Sequence, residues 1–175
     1  MIIDFDIFTM GLLMLIYVPI FCILKWKMKK SRSYLIAASI FYVYLCGVLK
    51  YTQFPIMVGY SMDYDIFKDA NYVPLINLTV QDLKTSILNV ILGVPFGFFL
   101  TLFCRRSVVK TAGYGVLFGV VIETVQVLIA MFIGTNMRVL DINDVIFNAL
   151  GVVIGFALYQ LYQICVVEKF YSSDK

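Results

Sequence analysis

Asn89, Glu123, Gln126, Arg138, Asp141, Asp144 and Asn148 are the side chains of this sequence whose types could carry chemistry, and each stands in or beside a strongly apolar stretch. An ionisable group at the middle of a bilayer costs roughly 2.5–3.5 kcal/mol on insertion scales, so its presence marks a functional-site candidate whose partner must be found. Glu123 and Gln126 are three residues apart and share a helix face; Asp141, Asp144 and Asn148 share another if the next helix begins by Asp141. The two faces can converge, and three uses fit them. Glu123, Asp141 and Asp144 could offer oxygen ligands to Mg²⁺ or Ca²⁺ and present the metal to a lipid phosphate. The same groups could hold a cationic or amide-rich ligand directly, with Arg138 steering an anion. A proton relay is the third use, but five spans without an evident inverted repeat argue against a transporter. Plain bridging competes with all three, since Asn and Gln often join membrane helices. It suits Asn89, Gln126 and Asn148, which cannot ionise, better than Glu123, whose buried carboxyl needs a proton, Arg138 or the positive group of a ligand.

The elements that must position these groups follow from composition. Of 175 residues, 62% are hydrophobic and 14% charged, with a mean hydropathy of +0.92, which is too apolar for a soluble domain of this length. The expected fold is all-α: a polytopic bundle of five transmembrane helices over about 7–24, 34–50, 86–103, 111–133 and 145–167, forming one domain over residues 1–175 without linker or repeat. Met1–Asp6 is acidic, lacks a basic leader and is followed by no small-residue cleavage site, so the first helix is expected to stay in the protein. Pro19 and Pro95 are expected to kink their helices. Histidine is absent, which excludes His-based triads, His-ligated zinc and imidazole relays. Cys22, Cys46, Cys104 and Cys165 lie singly in or beside apolar segments and read as small buried residues.

Charge sets the orientation. Lys25, Lys27, Lys29, Lys30 and Arg32 form one basic loop and Arg105, Arg106 and Lys110 another; placing both in the cytoplasm leaves only Lys50, Lys68, Lys84 and Arg138 of the 14 Lys and Arg residues outside. The N-terminus is then outside and the C-terminus inside. A net charge of +3 sorted by loop in this way is no nucleic-acid-binding face. The connection Tyr51–Thr85 is too polar to span and rich in aromatics, so it is expected on the outer interface, divided by turns at Phe54-Pro55 and Asn71–Leu75. Asp63, Asp65 and Asp69 lack the Gly and final Glu of an EF-hand loop and read as solvated surface. Counted inward at 1.5 Å per residue, Asn89 and Asn148 lie roughly 5 Å deep, Gln126 about 10 Å and Glu123 about 15 Å, with Arg138, Asp141 and Asp144 at the surface: a polar funnel opening outward. Gly93/Gly97, Gly115/Gly119 and Gly151/Gly155 repeat at the spacing that lets membrane helices approach closely, so the last three helices are expected to form the packed centre.

The ordered set Asn71-x-x-Pro74-Leu75, Asn89-x-x-x-x-x-Pro95-x-Gly97, Glu123-x-x-Gln126 and Arg138-x-x-Asp141-Ile142-Asn143-Asp144-x-x-x-Asn148-x-x-Gly151-x-x-x-Gly155 resembles the VanZ-like family over about residues 54–159. The resemblance implies a multi-pass protein of the bacterial cytoplasmic membrane, in a family named after a protein that gives resistance to teicoplanin, a lipoglycopeptide antibiotic. The leading expectation is a non-enzymatic protein that engages teicoplanin or a lipid-linked cell-wall precursor at the outer face, amid membrane lipids and without a cofactor. The alternatives are a Mg²⁺- or Ca²⁺-dependent enzyme acting on a lipid-linked envelope substrate at the same residues, and a scaffold for envelope proteins.

Overall fold

A computed structural model describes residues 1–59, 68, 70–76, 79–104, 107–133 and 140–168. Among them five helices are long and apolar enough to cross a membrane, and the chain is a multi-pass membrane protein. The helices are α1 (Ile7–Cys22, continued by a π turn over Ile23–Lys27), α2 (Arg32–Gln53), α3 (Val80–Phe103), α4 (Val108–Ile133) and α5 (Ile142–Tyr162, continued by a π turn over Gln163–Glu168). The chain divides into two compact units, one of Met1–Asp65 with Val125–Arg138, the other of Ile66–Thr124 with Val139–Lys175.

In the first unit, Ile2–Ile3 (β1) pairs antiparallel with Ile56–Met57 (β2), and the terminal ammonium of Met1 donates to the Val58 carbonyl at 2.9 Å. The acidic N-terminal segment is thus an edge strand followed by a cap: Asp6 accepts from the Thr9 amide and hydroxyl, both at 2.9 Å, and starts α1. The α1–α2 contact is aromatic and polar at once. Tyr17 stacks on Tyr42 with centroids 4.4 Å apart, shares a hydrogen bond with Ser39 at 2.6 Å, and Tyr42 donates to the Leu13 carbonyl at 2.5 Å. Each hydroxyl thereby finds a partner that lipid cannot supply. Helix α1 continues through Pro19, and α2 runs on to Gln53, beyond the expected end at 50; the turn at Phe54, extended ahead of Pro55, stops it.

The second unit is built on glycine. Later residues of α3 meet later residues of α5, so these two helices run parallel, and their backbones are in contact. A Cβ on Gly93 would strike the Asn148 carbonyl, on Gly97 the Val152 carbonyl, on Gly151 the Val90 carbonyl and on Gly155 the Val94 carbonyl. Helix α4 approaches α5 antiparallel, with the Cβ position of Gly115 2.9 Å from Ala149 Cα and that of Gly119 2.8 Å from Val145 Cα. Between lipid-bathed helices no hydrophobic drive exists, so dispersion over such close surfaces must hold them. Val152, wholly buried, fills the seam against Gly97 and Gly115, and Phe96 stacks on Phe118 at 4.2 Å.

Helix α3 begins at Val80, ahead of the expected 86, because Thr79 and Asp82 form a reciprocal cap. The Asp82 amide donates to Thr79 Oγ1 at 3.3 Å, and the Thr79 amide to Asp82 Oδ2 at 2.8 Å. It continues unbroken through Pro95. The connection read as Tyr51–Thr85 is correspondingly shorter at both ends; Asp63, Asp65 and Asp69 lie outside the described residues.

Candidate functional site

The N-terminus of α5 gathers several polar groups of the second unit. Asp141 is its N-cap, accepting the Asn143 amide on Oδ1 at 2.8 Å, and the same oxygen accepts Asn71 Nδ2 at 2.8 Å. The backbones follow suit: the Asn71 amide donates to the Leu140 carbonyl at 2.9 Å and the Ile142 amide to the Asn71 carbonyl at 3.0 Å, a short parallel bridge. Asn143, buried, accepts the Leu75 amide on Oδ1 at 2.8 Å. Leu75 holds a φ of 59°, which a residue with a Cβ adopts only when its surroundings fix it. The segment Asn71–Leu75, a turn closed by the Val73 amide on Asn71 Oδ1 at 3.2 Å, is therefore clamped onto the first turn of α5.

From α4, Glu123 reaches the same place. It is 4% exposed, and its Oε2 accepts the Asp141 amide at 3.3 Å. That position explains a carboxylate in an apolar helix: it meets an amide at the α5 N-terminus, where donors lack intrahelical acceptors and the helix dipole favours negative charge.

One turn into α5, Asp144 is half-buried and lies within electrostatic reach of Asn89 on α3 and of the Asp141 and Asp82 carboxyls. Asn148, 1% exposed, donates from Nδ2 to the Asp144 carbonyl at 2.8 Å, while its Oδ1 is buried without a partner. The Asn89 side chain arrives from α3 beside the Asp144 carboxyl, with its Nδ2 buried. A buried polar atom left unpaired costs on the order of 1–3 kcal/mol, so Asn148 Oδ1 is an acceptor that a donor would stabilise.

Asn89, Glu123, Asp141, Asp144 and Asn148 thus belong to one unit and lie around one helix end. Gln126 does not join them: its Nε2 donates to the Thr52 carbonyl at 2.8 Å, at the end of α2 in the first unit. Arg138 lies outside the described residues. The metal set Glu123, Asp141 and Asp144 meets a different geometry. One oxygen of Asp141 is taken by two donors, one of Glu123 faces a backbone amide, and among the described residues no group of three or more His, Cys, Asp or Glu could hold a metal ion. Asn71 and Asn143 emerge as clamp residues; both stand in the sequence pattern, but their pairing across about 70 residues carries no local signal. Thr52 and Gln53, buried at the end of α2, gave no signal beyond polarity at a helix end. Gln53 Nε2 donates to Thr52 Oγ1 at 3.0 Å, while its Oε1 is buried and unpaired.

The family model described as VanZ/LLP1 matches residues 11–163, a range that contains the clamp, the glycine seam and the polar site. No curated protein and no solved structure shows significant similarity to the chain.

Proposed function

The chain belongs to the VanZ/LLP1 family, and from that premise we propose that it lowers susceptibility to teicoplanin by engaging the drug or a lipid-linked cell-wall precursor at the outer face of the bacterial cytoplasmic membrane. The observation that supports this reading is a buried acceptor without a partner, Asn148 Oδ1, on the helix whose first turn carries the half-buried Asp144. Polar groups that only join helices are as a rule satisfied by one another. The positive-inside pattern of the basic loops supports an orientation with the start of α5 toward the outer leaflet, where on this reading teicoplanin and its lipid-linked target would meet. On this reading engagement needs no covalent step, and the protein acts as a binder.

The test is susceptibility to teicoplanin and vancomycin in a sensitive Gram-positive host expressing wild type, Glu123→Gln or Asp144→Asn at matched membrane levels. Protection against teicoplanin is expected, with little against vancomycin, which lacks the acyl chain, and Asp144→Asn should lose it. Glu123→Gln keeps an acceptor for the Asp141 amide and isolates the contribution of the charge. Absence of protection by wild type would retire the resistance reading. Divalent-cation-dependent thermal stabilisation abolished by Asp144→Asn would favour the metal-dependent enzyme instead.

A further inference from the structure

We infer that the turn joining α1 to α2 binds the headgroups of anionic phospholipids through Lys25, Lys27, Lys29, Lys30 and Arg32, with Trp26 as its anchor in the membrane interface. This surface uses no residue of the α5 helix end and is independent of the function proposed there.

The turn is tight and its shape is fixed. Helix α1 closes with the Met28 amide on the Ile23 carbonyl at 2.9 Å and the Lys30 amide on the Leu24 carbonyl at 3.0 Å. Ser31 already caps α2, accepting the Tyr34 amide at 3.3 Å. Between those bonds Lys29 takes a φ of 48°, at the position that helix ends ordinarily give to glycine or asparagine. A lysine there gives up backbone ease, and what it adds is charge. Five of the eight residues from Lys25 to Arg32 are cations, all exposed except the half-buried Lys30. The hairpin has no carboxylate of its own to neutralise them. Between Asp6 and Asp63 the sequence contains no Asp or Glu, and Asp6 caps the far end of α1, roughly 30 Å away along the 21 residues Ile7–Lys27. Repulsion among like charges held on one turn favours anions brought from outside.

Depth decides which anions these are. The turn follows directly on an apolar span, and Trp26 is 66% exposed. Lys25 Nζ lies 5.6 Å from the centre of the Trp26 ring, and Lys30 Nζ lies 4.7 Å from that of Tyr34. Aromatic rings at the end of a span settle among the headgroups, so the ammonium groups over them stand at the level of the lipid phosphates. A zwitterionic headgroup offers the same phosphate, but its own cation cancels the attraction. A headgroup with net negative charge has no such cation.

Trp26 is the one tryptophan of the chain, so tryptophan emission from the purified full chain reports on this turn alone. In phosphatidylcholine vesicles, part of the lipid is replaced by phosphatidylglycerol or phosphatidylcholine brominated near the headgroup end of an acyl chain. The quencher occupies both leaflets, so the direction of insertion does not affect the reading. At low ionic strength, brominated phosphatidylglycerol should quench with an apparent affinity about fivefold above that of brominated phosphatidylcholine, the equivalent of one cation at an anionic surface. The preference should shrink in about 1 M sodium chloride, where the screening length falls to about 3 Å. It should vanish in the triple variant Lys25→Gln, Lys27→Gln, Lys29→Gly, which keeps both rings and relaxes the turn. Equal quenching by the two lipids in wild type overturns the inference, and so does a preference undiminished in the triple variant. Should that variant not fold, a wild-type preference that survives high salt overturns it equally. Inorganic phosphate in place of chloride at equal ionic strength should leave the preference intact; if phosphate abolishes it, the turn takes a free phosphate and the lipid assignment fails.

Discussion

Helix α1 buries none of its residues, whereas α5 buries Asn143, Asn148, Gly151, Val152 and Gly155 along its length. Both are apolar enough to cross a membrane. Hydropathy thus says that a helix can span, and says nothing of what it packs against. In α1 most side chains are large and exposed, only the stripe Thr9, Leu13, Tyr17 and Phe21 with Cys22 being half-buried, and Gly11 has nothing within 4 Å of its Cβ position. In α5 the glycines lie against backbone, and Asn143 answers an amide on another segment. In lipid, small and polar residues take over the role that large apolar ones have in a soluble core.

The comparison breaks most visibly at glycine. Gly155→Leu would drive a side chain into the Val94 carbonyl and the Phe98 amide, backbone atoms that cannot turn aside. A loss of about 3 kcal/mol or more is expected, seen as a fallen thermal midpoint and aggregated material on size-exclusion chromatography. Gly11→Leu should stay within about 0.5 kcal/mol of wild type. Equal tolerance at the two sites would mean that the α3–α5 seam does not hold the protein together.

The next effect belongs to the clamp. Asn143→Ala removes the acceptor of the Leu75 amide and the group that holds Leu75 at positive φ, at a cost of about 1–3 kcal/mol. Asn143→Asp keeps an oxygen there and should recover part of the loss. Hydrogen exchange at Leu75 reads the contact directly, and protection unchanged in the alanine variant would dissolve the clamp.

Five spans and three glycine pairs were legible because hydropathy and i,i+4 spacing are properties of short windows. The early start of α3 was legible too, in Thr79-Val80-Gln81-Asp82, a capping pattern outweighed by the polarity of the residues around it. What stayed hidden joins distant positions. Asn71 meets Asp141, Leu75 meets Asn143, and Gln126 meets Thr52. The i,i+3 spacing of Glu123 and Gln126 put both on one face, yet one residue serves the start of α5 and the other the end of α2. Periodicity assigns a residue to a face of its own helix and leaves its partner unnamed.

Gln126 offers a smaller test. Gln126→Leu keeps the bulk and removes the donor to the Thr52 carbonyl, for a loss of about 0.5–1.5 kcal/mol. A thermal midpoint unchanged in this variant would show that the contact carries no weight in holding α4 to the end of α2.

The smallest effect belongs to the polar cap that starts α1. Asp6 accepts two hydrogen bonds from Thr9, and these, which favour the ionised carboxylate, hold it below the ordinary aspartate range. Its contribution is therefore complete above the unfolded value, near about 3.9, and disappears only as pH falls through the lower folded value. Followed by NMR in detergent, the Thr9 amide should titrate with a midpoint below that of free aspartate, and in Asp6→Ala it should be featureless. The global thermal midpoint should barely move in that variant, since α1 has no buried face whose loss would follow from a frayed first turn. A large drop would show that the start of α1 carries tertiary weight and would erase the contrast with α5.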